Sequence, residues 1–481
     1  MGILFVPVYI RLIGAESYGL MTFYGTLVGT LTLLDLGLSI AISRQVSILR
    51  ANTGKEKEIQ DLVFSVEVIY WGIGILLGLL VILFSNEIAV HWVKSEQLSV
   101  EVIRDAVMLM GGTFIMLFPS SIYNGIMIAN EEQALNSSMA ILFSLLKSLG
   151  AIFVLEYINA SIFSFFIWQS VVTLMYTLFL RFFVWKRVSV KGVKALFSIT
   201  QLRTIWRFAI GMTALSLITF FLLQADKVVV SKNVLLKYVG YYGIAWLLAS
   251  SLNQIVTALQ PVVFPQLTSL EAQNKEQELN ALYHKISRWV AIIIFPIGFI
   301  LIFFAKEILL IWTRDITIAE YTAPMLRVMV CGSMCNCIVW VSYLYVLAKG
   351  NTMFTLIQNL VMSAIIIPLL IWLTSQYGAY GASYTWLITN GCYVLIWNPI
   401  FHRYYLKGQL VQWQKRNILP PLFISFILLF FAKICQQKFF PTLNILILTA
   451  LLCLVSTLYV LIIPELRHLI FRSRLIEKKS L

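Results

Sequence analysis

Charged side chains interrupt several long apolar stretches of this sequence, and their chemistry is the first feature to explain. Lys147 lies near the middle of one stretch, and Asp226 and Lys227 are neighbours in another. An ionised side chain at bilayer depth costs at least about 2.5 to 3.5 kcal/mol on insertion scales, so it needs a water-filled pathway, a partner or an exit to the interface. These residues are therefore candidates for binding an ion or a charged substrate.

The position of each charge within its stretch suggests a role. Lys147 is too deep to reach either interface, so we expect a wet cavity or a structural ion pair, for instance with Asp35. Adjacent residues of a helix point about 100° apart, so one of the Asp226 and Lys227 pair can face a cavity while the other snorkels. We predict two groups of site residues: Arg11, Arg44, Lys147 and Arg327 for substrate binding, and Asp35, Asp226 and Lys227 for coupling or gating.

Several of these polar residues have plain structural alternatives. Arg11 and Arg327 lie near the outer ends of their helices, where snorkelling accounts for a charge as well as function does. Glu67 lies near the inner end of a helix, and we expect it to be solvated. Amides such as Gln169 and Asn336 are expected to form hydrogen bonds between helices.

The combination of polar groups within the apolar stretches narrows the class of ligand. Arg and Lys hold phosphates by charge-assisted hydrogen bonds. Amides and aromatic faces suit sugar rings, and the aromatic residues within apolar stretches include Tyr24, Trp168, Trp246 and Trp386. A large amphipathic anion, such as a lipid-linked saccharide, fits both requirements.

The nucleophilic and metal-ligating residues do not form a recognisable site. The six cysteines lie in apolar runs, and Cys331, Cys335 and Cys337 lack a neighbouring His or acid that would complete a tetrahedral metal set. The four histidines lie in separate polar segments, and neither a Gly-x-Ser-x-Gly nor a His-Glu-x-x-His motif is present. We expect no enzyme activity, no metal and no cofactor.

Composition excludes an ordinary soluble protein. Of the 481 residues, 60% are apolar and 12% are charged, against about 45 to 50% and about 25% in soluble domains. The net charge of +14 is concentrated in one set of loops, as in membrane proteins, so we do not expect nucleic acid as a partner. The lipid bilayer is the expected environment.

Apolar stretches of about 20 residues predict the membrane-spanning helices. Residues 1–13 would form a helix of about 20 Å, too short for a hydrocarbon core of about 30 Å, so we expect the natural chain to begin upstream of Met1. Thirteen further spans are predicted at 18–42, 62–84, 105–129, 136–155, 162–185, 208–231, 239–262, 289–311, 324–347, 355–374, 380–400, 418–435 and 443–463. The predicted fold class is all-α, a polytopic membrane protein with about 14 transmembrane helices, the first one truncated.

The distribution of Lys and Arg predicts the orientation. One set of alternate loops holds 23 of them and the other set holds six. Cytoplasmic loops carry the excess of Lys and Arg, so we assign the first set and both termini to the cytoplasm. The outer loops are short, which leaves no room for an extracytoplasmic domain.

An internal repeat predicts how the helices are grouped. Shifting the sequence by 220 residues brings identical residues into register, for example Phe84 with Phe304, Glu87 with Glu307 and Trp92 with Trp312. The copies are six helices apart, so they run in the same direction and form two parallel lobes around a cavity. We predict an N-lobe of helices 1–6 at 1–187, a basic cytoplasmic linker at 188–207, a C-lobe of helices 7–12 at 208–403, and two extra helices with a basic tail at 404–481.

Two motifs resemble those of a known family. One runs from Pro7 to Leu20 (PVYIRLIGAESYGL) and is followed by Leu34-Asp35-Leu36-Gly37 and Arg44; the other runs from Gln224 to Ser231 (QADKVVVS) and is followed by Gly240-Tyr241-Tyr242. The sequence resembles Wzx-type polysaccharide flippases of the multidrug/oligosaccharidyl-lipid/polysaccharide (MATE-like) superfamily. Its fourteen predicted helices exceed the twelve that are common in Wzx members.

The resemblance implies a function. It implies transfer of an undecaprenyl-diphosphate-linked oligosaccharide across the bacterial cytoplasmic (inner) membrane, for O-antigen, capsule or exopolysaccharide synthesis, with polysaccharide polymerase and chain-length proteins as further partners. Two alternatives remain open at this point. A MATE-type drug/cation antiporter would prefer acids in its cavity, and a membrane O-antigen polymerase or ligase would need a larger outer loop.

Overall fold

The computed structural model describes residues 2–50, 54–190, 192–203, 205 and 224–439. Its contacts divide the chain into two compact units, Met1–Gly243 and Ile244–Leu481, and each is described here by itself. The predicted helix at 443–463, the basic tail and residues 208–223 of the predicted seventh helix lie outside the described residues.

The first unit contains the helices α1 (Gly2–Arg50), α2 (Glu56–Leu83), α3 (Ser85–Glu87), α4 (Val100–Ala129), α5 (Gln133–Tyr157), α6 (Ile162–Val188), α7 (residues 224–233) and the start of α8 (Leu236–Thr257). A single π-helical turn, Ile88–Trp92, follows α3. Gly14 interrupts α1 with φ 83° and ψ 166°, a conformation that only glycine adopts without strain. The short apolar segment before Gly14 is therefore a separate helical piece, as the sequence predicts.

The second unit contains the rest of α8, followed by α9 (Gln260–Ala272), α10 (Glu276–Phe303), α11 (Ala305–Thr313), α12 (Ile316–Ala348), α13 (Thr352–Tyr377), α14 (Ala379–Cys392), α15 (Asn398–Tyr405), α16 (Leu410–Gln412) and α17 (Leu419–Phe439). π-Helical turns, Tyr393–Trp397 and Trp413–Ile418, join α14 to α15 and α16 to α17. The helices α8 and α9 are bent by 42° at their junction.

The described helices confirm an all-helical polytopic membrane protein. Within the described residues, eight helices are long and apolar enough to cross a membrane, or nine if the bent pair α8–α9 is one span. The predicted total of fourteen stays a prediction. The predicted span at 289–311 is wrong in its bounds, because α10 begins at Glu276 and ends at Phe303. The first turns of α10 are polar, and the sequence pattern therefore places them in a loop.

The repeat is visible in the helix boundaries. Both α2 and α10 contain 28 residues and start at Glu56 and Glu276, which are 220 positions apart. A phenylalanine, Phe84 or Phe304, separates each from a short helix. The helices α4 and α12 also occupy corresponding places in the two units. In each of them 61% of the most apolar 18-residue segment is buried.

Each unit has a core where its central helices meet. In the first unit α1, α2, α4 and α6 contribute fully buried side chains to one cluster, which includes Val46, Leu62, Tyr123 and Val184. In the second unit the ring of Tyr283 lies among aromatic and imidazole rings of α12 and α15, namely Tyr345, Phe401 and His402. Apolar burial of this kind holds the polar residues of each unit in place.

Segments predicted to lie on one side of the membrane meet within each unit. The predicted cytoplasmic segments around Gln60 and Val193 are joined by a hydrogen bond of 3.0 Å, and Leu196 donates its backbone N–H to Asp61 at 2.8 Å. In the second unit Lys349 forms an ion pair with Glu271 at 2.9 Å. Lys306, which falls inside the predicted span 289–311, pairs at 2.8 Å with Glu320 of the predicted outer loop. These contacts support the predicted alternation of loops.

Candidate functional site

Lys147 is partly buried near the middle of α5. Within the described residues its ammonium group has no hydrogen-bond or ion-pair partner. The predicted partner Asp35 lies in α1, and its side chain lies outside the described residues. Lys147 therefore presents a cation at mid-helix depth that no described carboxylate neutralises.

The backbone around Lys147 is held by three side chains from other helices. Trp168 donates its indole N–H to the carbonyl of Leu146 at 3.2 Å, and Gln169 donates to the carbonyl of Lys147 at 3.4 Å. Tyr9, in the helical piece before Gly14, donates its hydroxyl to the carbonyl of Ser148 at 3.0 Å. Three consecutive carbonyls of α5 are thus fixed by α6 and α1, which sets the position of the Lys147 backbone.

The three candidate arginines are all exposed. Arg11 lies two residues after Tyr9 in the first helical piece of α1, and Arg44 lies near the other end of α1. Arg327 donates its Nε–H to the carbonyl of Ile302 at 3.2 Å. The bond from Arg327 caps the end of the neighbouring helix α10.

Asp226 and Lys227 point to different partners, as their spacing predicts. Tyr242, fully buried, donates its hydroxyl to Asp226 Oδ2 at 2.5 Å, while Oδ1 is buried and has no hydrogen-bond partner within the described residues. Lys227 donates to Gln224 Oε1 at 2.9 Å. The Tyr242 bond ties the carboxylate of α7 to the start of α8.

Glycines in and beside the two motifs allow α1 and α8 to approach closely. A Cβ added at Gly19 would lie 2.0 Å from the carbonyl oxygen of Leu236, and one added at Gly243 would lie 2.5 Å from a side-chain carbon of Thr22. Such distances are far inside van der Waals contact, so only glycine permits this packing of α1 against α8. The two motifs therefore meet at one helix crossing in the first unit.

A group of contacts, which we call the outer clamp, joins Glu16, residues 92–98 and residues 231–237. Glu16 is buried and accepts hydrogen bonds from the Ser95 hydroxyl and from the backbone N–H groups of Glu96, Gln97 and Leu98. Burial alone would raise the pKa of the Glu16 carboxyl, but these hydrogen bonds hold the pKa below its ordinary value. The carboxylate is therefore charged at neutral pH.

Two further contacts tie the same loop to α7 and α8. Lys237 pairs with Glu96 at 2.5 Å, and Leu236 donates its N–H to the carbonyl of Lys94 at 2.7 Å. The indole of Trp92 donates to the Ser231 hydroxyl at 3.1 Å. These segments are predicted to lie on the outer side, and the outer clamp joins them within the first unit.

Sequence reasoning was wrong about Glu67 and overlooked Arg181. Glu67 is only 4% exposed and accepts from Tyr123 at 2.8 Å, Arg181 at 2.5 Å and Trp185 at 2.6 Å. The predicted helix start at 62 was too late. The helix α2 begins at Glu56, so Glu67 lies about three turns from the start of the helix. Arg181 and Trp185, one turn apart on α6, were the signal for a shared partner.

The polar and aromatic residues within the spans pack between helices. Asn336 donates to Asn390 at 2.8 Å, which joins α12 to α14, and together with Gln169 this confirms the predicted role of such amides. Trp246 and Trp386 meet edge to face, with ring centroids 4.8 Å apart. Tyr24 stacks on Phe114.

Comparison with known sequences identifies a family. The family described as "Polysaccharide biosynthesis protein" matches residues 8–314. A Shigella flexneri protein named "Putative O-antigen transporter" is 22% identical over 381 residues, which cover 79% of this chain and 88% of that protein.

Comparison with solved structures identifies the fold. The lipid II flippase MurJ in an inward closed conformation has a TM-score of 0.74 and 17% identity, covering 95% of this chain and 96% of that one. An inward-facing multidrug resistance MATE family transporter of the MOP superfamily has a TM-score of 0.66 and 12% identity, covering 84% and 94%. The proteins it resembles are transporters and flippases, not enzymes.

Proposed function

Because this chain belongs to the polysaccharide biosynthesis protein family and has a fold similar to that of the lipid II flippase MurJ, we propose that it moves a lipid-linked oligosaccharide across a membrane. The specific substrate we propose is an oligosaccharide linked to undecaprenyl diphosphate, carried from the cytoplasmic to the outer leaflet. The membrane would be the bacterial cytoplasmic membrane, with both termini in the cytoplasm.

The single observation that carries the substrate proposal is the setting of Lys147. A partly buried cation without a described acidic partner costs free energy unless an anion joins it. The diphosphate group of the substrate would supply that anion through charge-assisted hydrogen bonds. Arg11 and Arg44 lie near opposite ends of α1, so we propose that they contact the diphosphate at different points of its path. The proposed contribution of Arg327 is weakened by its bond to Ile302.

Alternating access would require the outer clamp to open. Its bonds to Glu16 and Lys237 would have to break before a bound glycan leaves on the outer side. Asp226 is a proposed coupling residue because its Oδ1 is buried without a described partner and a bound cation or proton would satisfy it. Asp35 and Lys227 complete the proposed coupling group. A polysaccharide polymerase and chain-length proteins are proposed to use the delivered glycan.

The test is complementation of a deletion strain with variants of Lys147. Loss of a contact worth about 1.5 to 3 kcal/mol should weaken substrate binding on the order of tenfold to a hundredfold. We expect Lys147→Ala to lose surface glycan at normal membrane level, and Lys147→Arg to rescue better than Lys147→Gln. Lys407→Ala, which removes an exposed lysine of the second unit, is the control.

Two outcomes would count against this site. Normal surface glycan with Lys147→Ala would exclude Lys147 from substrate binding. Loss of both glycan and protein would indicate a structural ion pair, because the unpaired partner would then destabilise the fold.

A further inference from the structure

One face of α6 presents an exposed apolar stripe. Its members are three or four residues apart, so they lie on one side of the helix: Phe163, Ile167, Val171, Met175, Leu178 and Phe182, which are 41–61% exposed. In a membrane protein such a face contacts lipid chains. The stripe therefore marks the lipid-facing side of the first unit.

A basic cleft lies at the predicted cytoplasmic end of this stripe. It has a volume of about 430 Å³ and is lined by Leu178, Arg181, Phe182, Trp185, Lys186 and Ser189. Two of these residues are cations and none is an acid. Leu178 and Phe182 belong to both the stripe and the basic cleft, so the two surfaces are continuous.

The buried carboxylate of Glu67 positions the key residues of the basic cleft. Arg181 donates its Nε–H to Glu67 Oε1 at 2.5 Å, while its side chain remains 49% exposed, so part of the side chain is accessible to a ligand. Trp185 is anchored to Glu67 Oε2 at 2.6 Å. An arginine oriented in this way loses less side-chain entropy when it binds a phosphate.

Lys186 is the second cation of the basic cleft. It is exposed, and within the described residues it has no hydrogen-bond or ion-pair partner. Its neighbour Arg187, in contrast, pairs with Glu132 at 2.8 Å. Among the described residues, Lys186 is therefore the unpaired cation of the basic cleft, while the charge of Arg181 is shared with Glu67.

We propose that the basic cleft binds an anionic phospholipid of the cytoplasmic leaflet. The phosphate would lie between Arg181 and Lys186, and one acyl chain would follow the apolar stripe of α6. Charge complementarity favours an anionic over a zwitterionic headgroup. Trp185 is the last residue of the predicted span 162–185, and tryptophan prefers the membrane interface. This proposal depends on a membrane location, but not on the identity of the transported glycan.

The test uses purified full-length protein and native mass spectrometry. The protein is titrated with phosphatidylglycerol, and separately with phosphatidylcholine of the same acyl chains. We expect one phosphatidylglycerol to be retained at least tenfold more tightly than phosphatidylcholine. Lys186→Gln should weaken phosphatidylglycerol binding about fivefold, because one cation near an anionic headgroup contributes about 1 kcal/mol.

Controls separate lost binding from lost folding. Lys186→Gln changes an exposed residue without a described partner, so the protein should fold normally. Arg181→Gln should weaken binding further, although it also disturbs Glu67, and its melting temperature is measured alongside. Lys407→Gln, an exposed lysine at the same predicted side of the second unit, should retain full affinity.

Three results would overturn the proposal. Equal retention of the two phospholipids would show that the headgroup charge is not recognised. Unchanged affinity in Lys186→Gln and Arg181→Gln would place the bound lipid elsewhere. Tight binding of undecaprenyl diphosphate with displacement of phosphatidylglycerol would assign the basic cleft to the transported lipid.

Discussion

At the scale of single residues, the buried carboxylate of Glu67 is the most heavily bonded charge in the described part of the first unit, apart from Glu16. Replacing Glu67 with Ala leaves the donors Arg181, Trp185 and Tyr123 without their acceptor. Hydrogen bonds to a charged group contribute about 1.5 to 3 kcal/mol each, discounted here because Arg181 is half exposed. Counting only the bonds from Tyr123 and Trp185, we expect Glu67→Ala to lower the free energy of unfolding by about 3 kcal/mol or more, measured by denaturation in detergent.

The matched control for this loss is Glu156→Ala. Glu156 is an exposed residue at the end of α5, and its replacement should change stability by less than about 0.5 kcal/mol. Equal stability of the two variants would show that the bonds to Glu67 contribute nothing measurable.

A second residue-scale prediction concerns the crossing of α1 and α8. In Gly19→Ala the new methyl group would lie 2.0 Å from the carbonyl oxygen of Leu236, and a backbone atom cannot rotate away. Overpacking of this kind costs about 1 to 3 kcal/mol. We expect a lower melting temperature and a lower membrane level for Gly19→Ala.

Gly25→Ala provides the comparison within the same helix. A Cβ at Gly25 would have no neighbour within 4 Å, and alanine has a better helix propensity than glycine. This variant should be as stable as the original protein. A Gly19→Ala protein that melts at the same temperature as Gly25→Ala would contradict the close crossing.

At the scale of elements, the outer clamp determines whether residues 92–98 stay attached to α1 and α8. Glu16→Ala removes the acceptor of four hydrogen bonds. If about 1.5 to 3 kcal/mol is lost, the detached form of this loop becomes about tenfold to a hundredfold more populated. We expect limited trypsin digestion to cleave after Lys94 correspondingly faster.

The control for the outer clamp is Glu101→Ala. Glu101 is exposed in the first turn of α4, outside the clamp, so cleavage after Lys94 should keep its original rate. A Glu16→Ala protein that resists trypsin as well as the control does would show that the loop is held by other contacts.

At the scale of the whole molecule, the excess of Lys and Arg in alternate loops predicts the topology. Reporter fusions after Leu196, Gln412 and Ile476 should read cytoplasmic, whereas fusions after Gln97 and Asp315 should read outside. The contacts that gather the predicted cytoplasmic segments in each unit support this alternation. A fusion after Gln412 that reads outside would exclude the fourteen-helix topology.

The sequence by itself determined the fold class, because apolar length and charge distribution respond to the bilayer directly. It predicted most described span boundaries to within a few residues, and the 220-residue repeat reappears in the starts of α2 and α10. It also predicted the break after the first short segment, since Gly14 adopts a φ of 83°. The span boundaries and the break at Gly14 depend on residues that are close together in the sequence, and the repeat is visible as matching residues in the sequence itself.

Only the tertiary structure decided which polar residues meet. Glu67 and Arg181 are 114 positions apart, and Glu16 is 80 positions from Glu96, so no local pattern pairs them. The motif residues Gly19 and Tyr242 were recognised from the sequence, but their roles, in helix crossing and in bonding Asp226, depend on distances between α1, α7 and α8. Whether a charged side chain is buried, and which residue it bonds, depends on packing between helices that are distant in sequence. The sequence therefore shows which charged residues lie in apolar stretches, and the structure shows their partners.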